Sequence, residues 1–146
     1  MTVKVFNSLK WCLFPLFFSW CFLQNMVGFF VFLWHKIIKQ GEKKISDDGI
    51  VYFKTNLFGG VSLGYFIFLD TENDIDIHHE WGHQLQSLLL GPLYLLVIGL
   101  PSVICCGFNL YNGNNYKYYN YPWEAWADKW GKIRHENLSY NRALRE

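Results

Sequence analysis

The chain has 146 residues, enough for one domain plus a small attachment. Its hydrophobic content of 51% and aromatic content of 20% exceed those of an ordinary soluble domain, while charged residues at 17% fall below the usual quarter. A net charge of +1, with no basic stripe interleaved among the aromatics, gives no footing for a nucleic-acid partner. Cys12, Cys21, Cys105 and Cys106 all lie in apolar stretches without ligand spacing, so they read as small hydrophobes and not as a disulfide framework.

From Trp11 to Trp34 no residue is charged, and only Ser19, Gln24, Asn25 and Pro15 interrupt the apolar run. A helix of that length spans about 36 Å, enough to cross a hydrocarbon core with tilt, and tryptophans close it at both ends, where interfacial aromatics belong. The competing reading is a cleavable signal peptide. The run is long for a signal core and no small-x-small cleavage site follows it, so residues 1–35 are expected to form an uncleaved transmembrane anchor. Lys36, Lys39, Lys43 and Lys44 follow the run and only Lys4 and Lys10 precede it, which puts the rest of the chain on the cytoplasmic side.

Residues 36–146 are expected to fold as one compact domain. The stretch 40–48 reads as a polar linker. Residues 50–53 and 61–69, rich in β-branched and aromatic side chains and separated by a loop ending in Gly59-Gly60, read as two strands of a small antiparallel unit. An acidic turn from Asp70 to Asp76 leads into His79-Glu80-Trp81-Gly82-His83. On a helix, positions four apart share a face, so His79 and His83 can offer two imidazoles to one Zn2+. Glu80 stands about 100° round the helix, beside the metal, where its carboxylate can take a proton from a zinc-bound water. His78 has Gly82 as its i+4 neighbour and no helical metal partner. His35 and His135 are isolated too, and none of the three is expected to bind metal.

Leu88 to Phe108 is again almost wholly apolar. As a straight second span it would separate the histidines from the downstream acids by a bilayer core of about 30 Å, which ligands about 2 Å from one ion cannot bridge. Gly91-Pro92, Gly99 and Pro101 break the run. The expectation for 88–108 is therefore a bent, re-entrant or membrane-embedded hairpin whose backbone is covered by protein. Tyr- and Asn-rich residues 110–121 form a polar return suited to the headgroup zone. Tyr119 or Tyr121, or His135, could approach a substrate carbonyl.

Next comes Trp123-Glu124-Ala125-Trp126-Ala127-Asp128. A catalytic zinc usually takes three protein ligands and keeps one position open. Glu124 can supply the third ligand, and Asp128, one turn later on the same face, can accept the second N–H of a ligand histidine. Residues 129–146 alternate basic and acidic and read as an exposed amphipathic helix or tail.

The Glu-x-x-x-Asp stretch after the His-Glu-x-x-His motif resembles the third-ligand helix of the gluzincins, the thermolysin-like and integral-membrane zinc peptidases. By that resemblance Glu124 is the ligand and Asp128 the acid behind a histidine. A strand pair before the histidine helix is also the zincin order, in which an edge strand can hold an extended substrate; a sheet that serves only for packing is the other reading. The run Gly91 to Ser102, between the histidine helix and Trp126-Ala127-Asp128-Lys129-Trp130-Gly131, is similar to small bacterial membrane proteins taken to be zinc metallopeptidases, over roughly residues 58–131. Unlike the larger gluzincins, this chain has no extra subdomain to shape a deep cleft.

The expected fold is thus α+β: an N-terminal transmembrane helix, a small antiparallel strand pair and a minimal zincin-like helical metal-site domain. The expected function is that of a membrane-anchored zinc metallopeptidase in the bacterial inner membrane, acting on a peptide or membrane-protein substrate beside the lipid bilayer. In it Glu80 is catalytic, His79, His83 and Glu124 hold the metal, and Asp128 orients a ligand. The alternatives are a non-catalytic membrane protein with a structural zinc site, and an aromatic-rich scaffold with no metal.

Overall fold

The 61–69 run folds back on itself. Gly60–Leu63 (β3) and Phe66–Leu69 (β4) are antiparallel strands joined by a tight turn at Gly64 and Tyr65, where Gly64 takes the left-handed φ of 63°. Ahead of them, Glu42–Ile45 (β1) and Val51–Lys54 (β2) pair antiparallel, and β2 runs parallel to β4 through Phe53↔Phe68 and Lys54↔Leu69. The result is a four-stranded mixed sheet of order β1-β2-β4-β3 in place of the expected antiparallel pair. Part of the expected linker is strand β1. Its Glu42, Lys43 and Lys44 look like linker because an edge strand tolerates, and is protected by, charge.

The computed structural model describes Val5, Cys12 and residues 14–38, 41–56, 59–111 and 119–133. Among the described residues the helices are Phe14–Trp20 (α1), Phe22–Ile37 (α2), Asp74–Leu90 (α3), Leu100–Tyr111 (α4) and Pro122–Gly131 (α5). A 3₁₀ turn at Gly91–Leu93 and a π turn at Leu95–Gly99 join α3 to α4. The fold is α+β. Lys4, Lys10, Trp11 and Lys39, the return at 112–118, and residues 134–146 with His135 and most of the expected C-terminal helix lie outside the described residues.

Strand β4 organises the layers. Ile67 and Leu69 pack with Ile50, Tyr52, Ile77 and Trp81, together with Phe17 and Cys21 from the N-terminal segment. Phe66 and Phe68 turn the other way, toward Phe53 and toward Phe32 and His35 of α2. Ile67 and Phe68 are both 0% exposed, so β4 is covered on both faces. Each such side chain contributes about 1.5–3 kcal/mol by leaving water. Helix α2 covers one face of the sheet; α3 and α1 cover the other.

The apolar run 11–34 is not the single straight helix expected. It breaks at Cys21, where α1 and α2 meet at 95°. The cause is the pair of amides in the run. Gln24 and Asn25 are fully buried, and Gln24 Nε2 donates to Ser87 Oγ at 3.1 Å and to the Gly91 carbonyl at 2.5 Å. Asn25 Oδ1 accepts from the Tyr65 N–H at 2.7 Å, and Trp20 Nε1 donates to the Leu88 carbonyl at 2.9 Å. A buried amide left without partners costs about 1–3 kcal/mol. Pairing the Gln24 Nε2 and the Asn25 amide wraps the chain round the β3–β4 turn and sews it to the end of α3. Among the described residues no single helix is long and apolar enough to cross a membrane, while two bent pairs pass by length and composition: α1 with α2, and Asp74–Leu93 with Leu95–Phe108, bent by 114°.

Candidate metal centre

Helix α3 starts where the side chain of Asn73 accepts the Ile75 N–H at 3.1 Å, with Asp74 and Asp76 in a first turn that favours acids. The helical period then turns Ile77 and Trp81 to the sheet and His79 and His83 to α5. Helix α5 opens with Pro122, which suits the first helical turn, and carries Glu124, Ala127 and Asp128 on one buried face.

The two helices cross at backbone contact. A Cβ on Gly82 would strike the Ala127 carbonyl, and one on Gly131 would strike the carbonyl of His78. Small residues at these points are what let a carboxylate as short as Glu124 reach both histidines. His79 Nε2 and His83 Nε2 each lie 3.0 Å from Glu124 Oε2, and 3.1 Å from one another. His79, His83 and Glu124 are thus one buried group that could hold a metal ion.

The hydrogen bonds behind these atoms assign their lone pairs. Asp128 Oδ1 lies 2.6 Å from His79 Nδ1, so that nitrogen carries the proton and donates it. Gln86 Nε2 donates to the Trp123 carbonyl at 2.7 Å, which leaves Gln86 Oε1 to accept from His83 Nδ1, also at 2.7 Å. In the neutral imidazoles both Nε2 atoms are then acceptors, and they face a third acceptor, Glu124 Oε2. Three buried acceptors about 3 Å apart need protons or a cation between them. Two imidazole nitrogens and a carboxylate oxygen this close together could hold one metal ion. The donors fit a metal.

Without one, protons do the work. Burial alone would lower the His79 pKa, but the bonds to Asp128 and Glu124 outweigh it and push it up to about 10. Burial would likewise raise the Glu124 carboxyl, yet the hydrogen bonds from His79 and His83 hold it well below the usual carboxylate range. Glu80 behaves in the opposite way: burial pushes its carboxyl up, and the two histidines only partly offset this. Glu80 is 5% exposed, its Oε2 has no hydrogen-bond partner among the described residues, and it rests against β3 at Gly60, where a Cβ would collide with it. Tyr119 stands edge-on to His79 with ring centroids 5.3 Å apart, and burial together with the surrounding carboxylates keeps its phenol protonated.

No protein-family model, curated protein or solved structure matches the chain.

The structure brings His79, Glu80, His83, Glu124 and Asp128 together. It turns His78 away, with Nε2 on Asp48 at 3.1 Å and Nδ1 donating to the Asp74 carbonyl. Tyr121 stacks on Trp123, and His35 is buried beside Phe68 in the α2 layer. Two residues of the centre escaped the sequence reading. Gln86 lies three residues after His83, a spacing that already marks a shared helical face. Ser102 Oγ donates to Glu124 Oε1 at 2.6 Å. Its signal was that of a lone hydroxyl in the apolar stretch after the π turn.

Proposed function

We propose that the chain is a membrane-associated zinc metallopeptidase of gluzincin type, hydrolysing peptide bonds in peptide or membrane-protein substrates. One observation carries the reading: three buried acceptors converge at 3.0–3.1 Å with both histidine Nδ1 atoms already committed, next to a carboxylate, Glu80, with an oxygen to spare. Two imidazoles and one carboxylate oxygen are a set that zinc takes in catalytic sites. When bound, the ion supplies a Lewis acid for the scissile carbonyl and acidifies the attacking water. Glu80 would take the proton of that water and return it to the leaving amine. Asp128 and Gln86 hold the imidazoles with Nε2 toward the centre. Strand β3 is an edge of the sheet, and an extended substrate can pair with it beside Glu80.

Membrane association is supported by uncovered apolar faces. On α2, Leu23, Val27, Phe30, Trp34 and Ile37 recur at helical spacing and are 40–75% exposed. Leu93, Leu96, Leu100, Val103 and Phe108 form a second such stripe, 54–67% exposed. Stripes of this size without charge suit a bilayer. The lysines after α2 favour an inner-membrane protein with the centre on the cytoplasmic side.

A second reading, a zinc that only staples α3 to α5, is favoured by the burial of all three donors. The two readings part at Glu80. Detergent-purified protein should hold one zinc per chain and cleave unstructured peptides. Glu80→Gln should keep the zinc and lose at least about 10²-fold in turnover, and His83→Ala should lose the metal. Full activity in Glu80→Gln sinks the mechanism; zinc binding with no Glu80-dependent cleavage leaves the staple.

A further inference from the structure

Helix α4 meets the centre through Ser102. Pro101 and Ser102 lie in its first turn, and Ser102 is half-buried, while its neighbours Leu100, Val103 and Ile104 are exposed. Ser102 Oγ and Glu124 Oε1 are 2.6 Å apart, within the range of a hydroxyl bonded to an ionised carboxylate. An ionised carboxylate only accepts, so the serine is the donor. The same carboxylate turns its other oxygen, Oε2, to His79 and His83. The two oxygens of Glu124 therefore have separate partners: one belongs to α4 and the other to the centre.

We propose that Ser102 is a positioning residue of the metal centre, holding Glu124 Oε1 away from the ion so that the carboxylate binds through Oε2 alone and a fourth position stays open. The inference rests on the metal reading above and deepens it. A carboxylate with both oxygens free can close on an ion as a two-oxygen ligand and so occupy the place that water or substrate needs. Gln86 has the matching task at His83, but its bond runs within α3. Ser102 reaches the centre from the apolar arm, and through it the seating of that arm would be felt at a ligand oxygen.

The test uses the full chain in detergent loaded with Co2+, whose visible absorption is intense in four-coordinate sites and weak at higher coordination, with Ser102→Ala and Ser102→Thr beside the wild type. Ser102→Ala should still bind one cobalt, but its absorbance per bound ion should fall at least about twofold. In the zinc form its kcat should fall about 10–100-fold with KM little changed, the usual scale for a partner behind a ligand. Ser102→Thr, which keeps the hydroxyl, should restore the spectrum. Loss of cobalt from Ser102→Ala overturns the proposal, because a carboxylate freed to bind through both oxygens should keep the ion. An unchanged spectrum per bound cobalt in Ser102→Ala overturns the proposal and leaves the metal reading standing. A wild type that takes up neither cobalt nor zinc overturns both.

Discussion

Glu124 is held by two regions built on opposite terms. On the α3–α5 side the backbones touch at Gly82 and Ala127, and each ligand histidine has its second nitrogen bonded to a buried side chain. On the other side stands the arm from Gly91 to Tyr111, which includes 3₁₀ and π turns, bends by 114° from α3 and leaves a row of leucines and valines uncovered. It bonds Glu124 through a serine hydroxyl. The difference separates two tasks. On the metal reading, the crossing would decide whether an ion binds at all, because it sets the distance between the three donors. The arm would adjust how Glu124 binds it, and its outer face is apolar and exposed.

The sharpest way to break this comparison is to part the helices. Gly82→Val places a branched side chain against the Ala127 carbonyl. It should destabilise the fold by about 1–3 kcal/mol through overpacking and abolish metal binding by moving Glu124 out of reach. Thermal melts with and without zinc measure both, and a variant that still gains stability from zinc as the wild type does would show that the crossing has slack.

A smaller effect comes from pH. His79 has a pKa raised to about 10 from an ordinary value of 6.5, so between those limits the metal-free protein holds a proton that an incoming ion must displace. Zinc affinity should rise with pH across that window by up to about tenfold per unit and level off above it. The stability that the protonated His79 lends the metal-free fold runs the other way. It is fully present below about 6.5 and lost as pH rises through about 10, so zinc should protect most at the alkaline end. Competition with a chelator at pH 7, 8 and 9 checks the slope, and a pH-independent affinity contradicts it.

The smallest effect on the centre is expected from the outer face of the arm. Val103→Lys, at a position 67% exposed, should leave zinc per chain unchanged while weakening flotation with phospholipid vesicles about tenfold. Flotation equal to wild type would mean that this face does not meet lipid.

What could be read in advance follows the range of the forces involved. The histidine pair and the Glu124–Asp128 pair were legible because a spacing of four residues has a fixed meaning on any helix. Gln86, at i+3 from His83, obeys the same rule but was missed, because a neutral amide carries no chemical signal of its own. Strand β1 was not, since its charges serve an edge that exists only once β2 lies beside it. The straight anchor failed for a related reason. Hydropathy measures how apolar a run is and takes no account of where Gln24 and Asn25 will find partners, and those partners, Ser87, Gly91 and Tyr65, lie some forty to seventy positions away.

The sequence by itself determined the donor types and the helical faces that present them, for both are local properties of a few neighbouring residues. Only the tertiary structure decided that the two helices meet closely enough for three acceptors to share one point. That depends on the absence of side chains at Gly82 and Gly131. Contacts of this kind join residues far apart in the chain, and their energy depends on distances that no local pattern encodes.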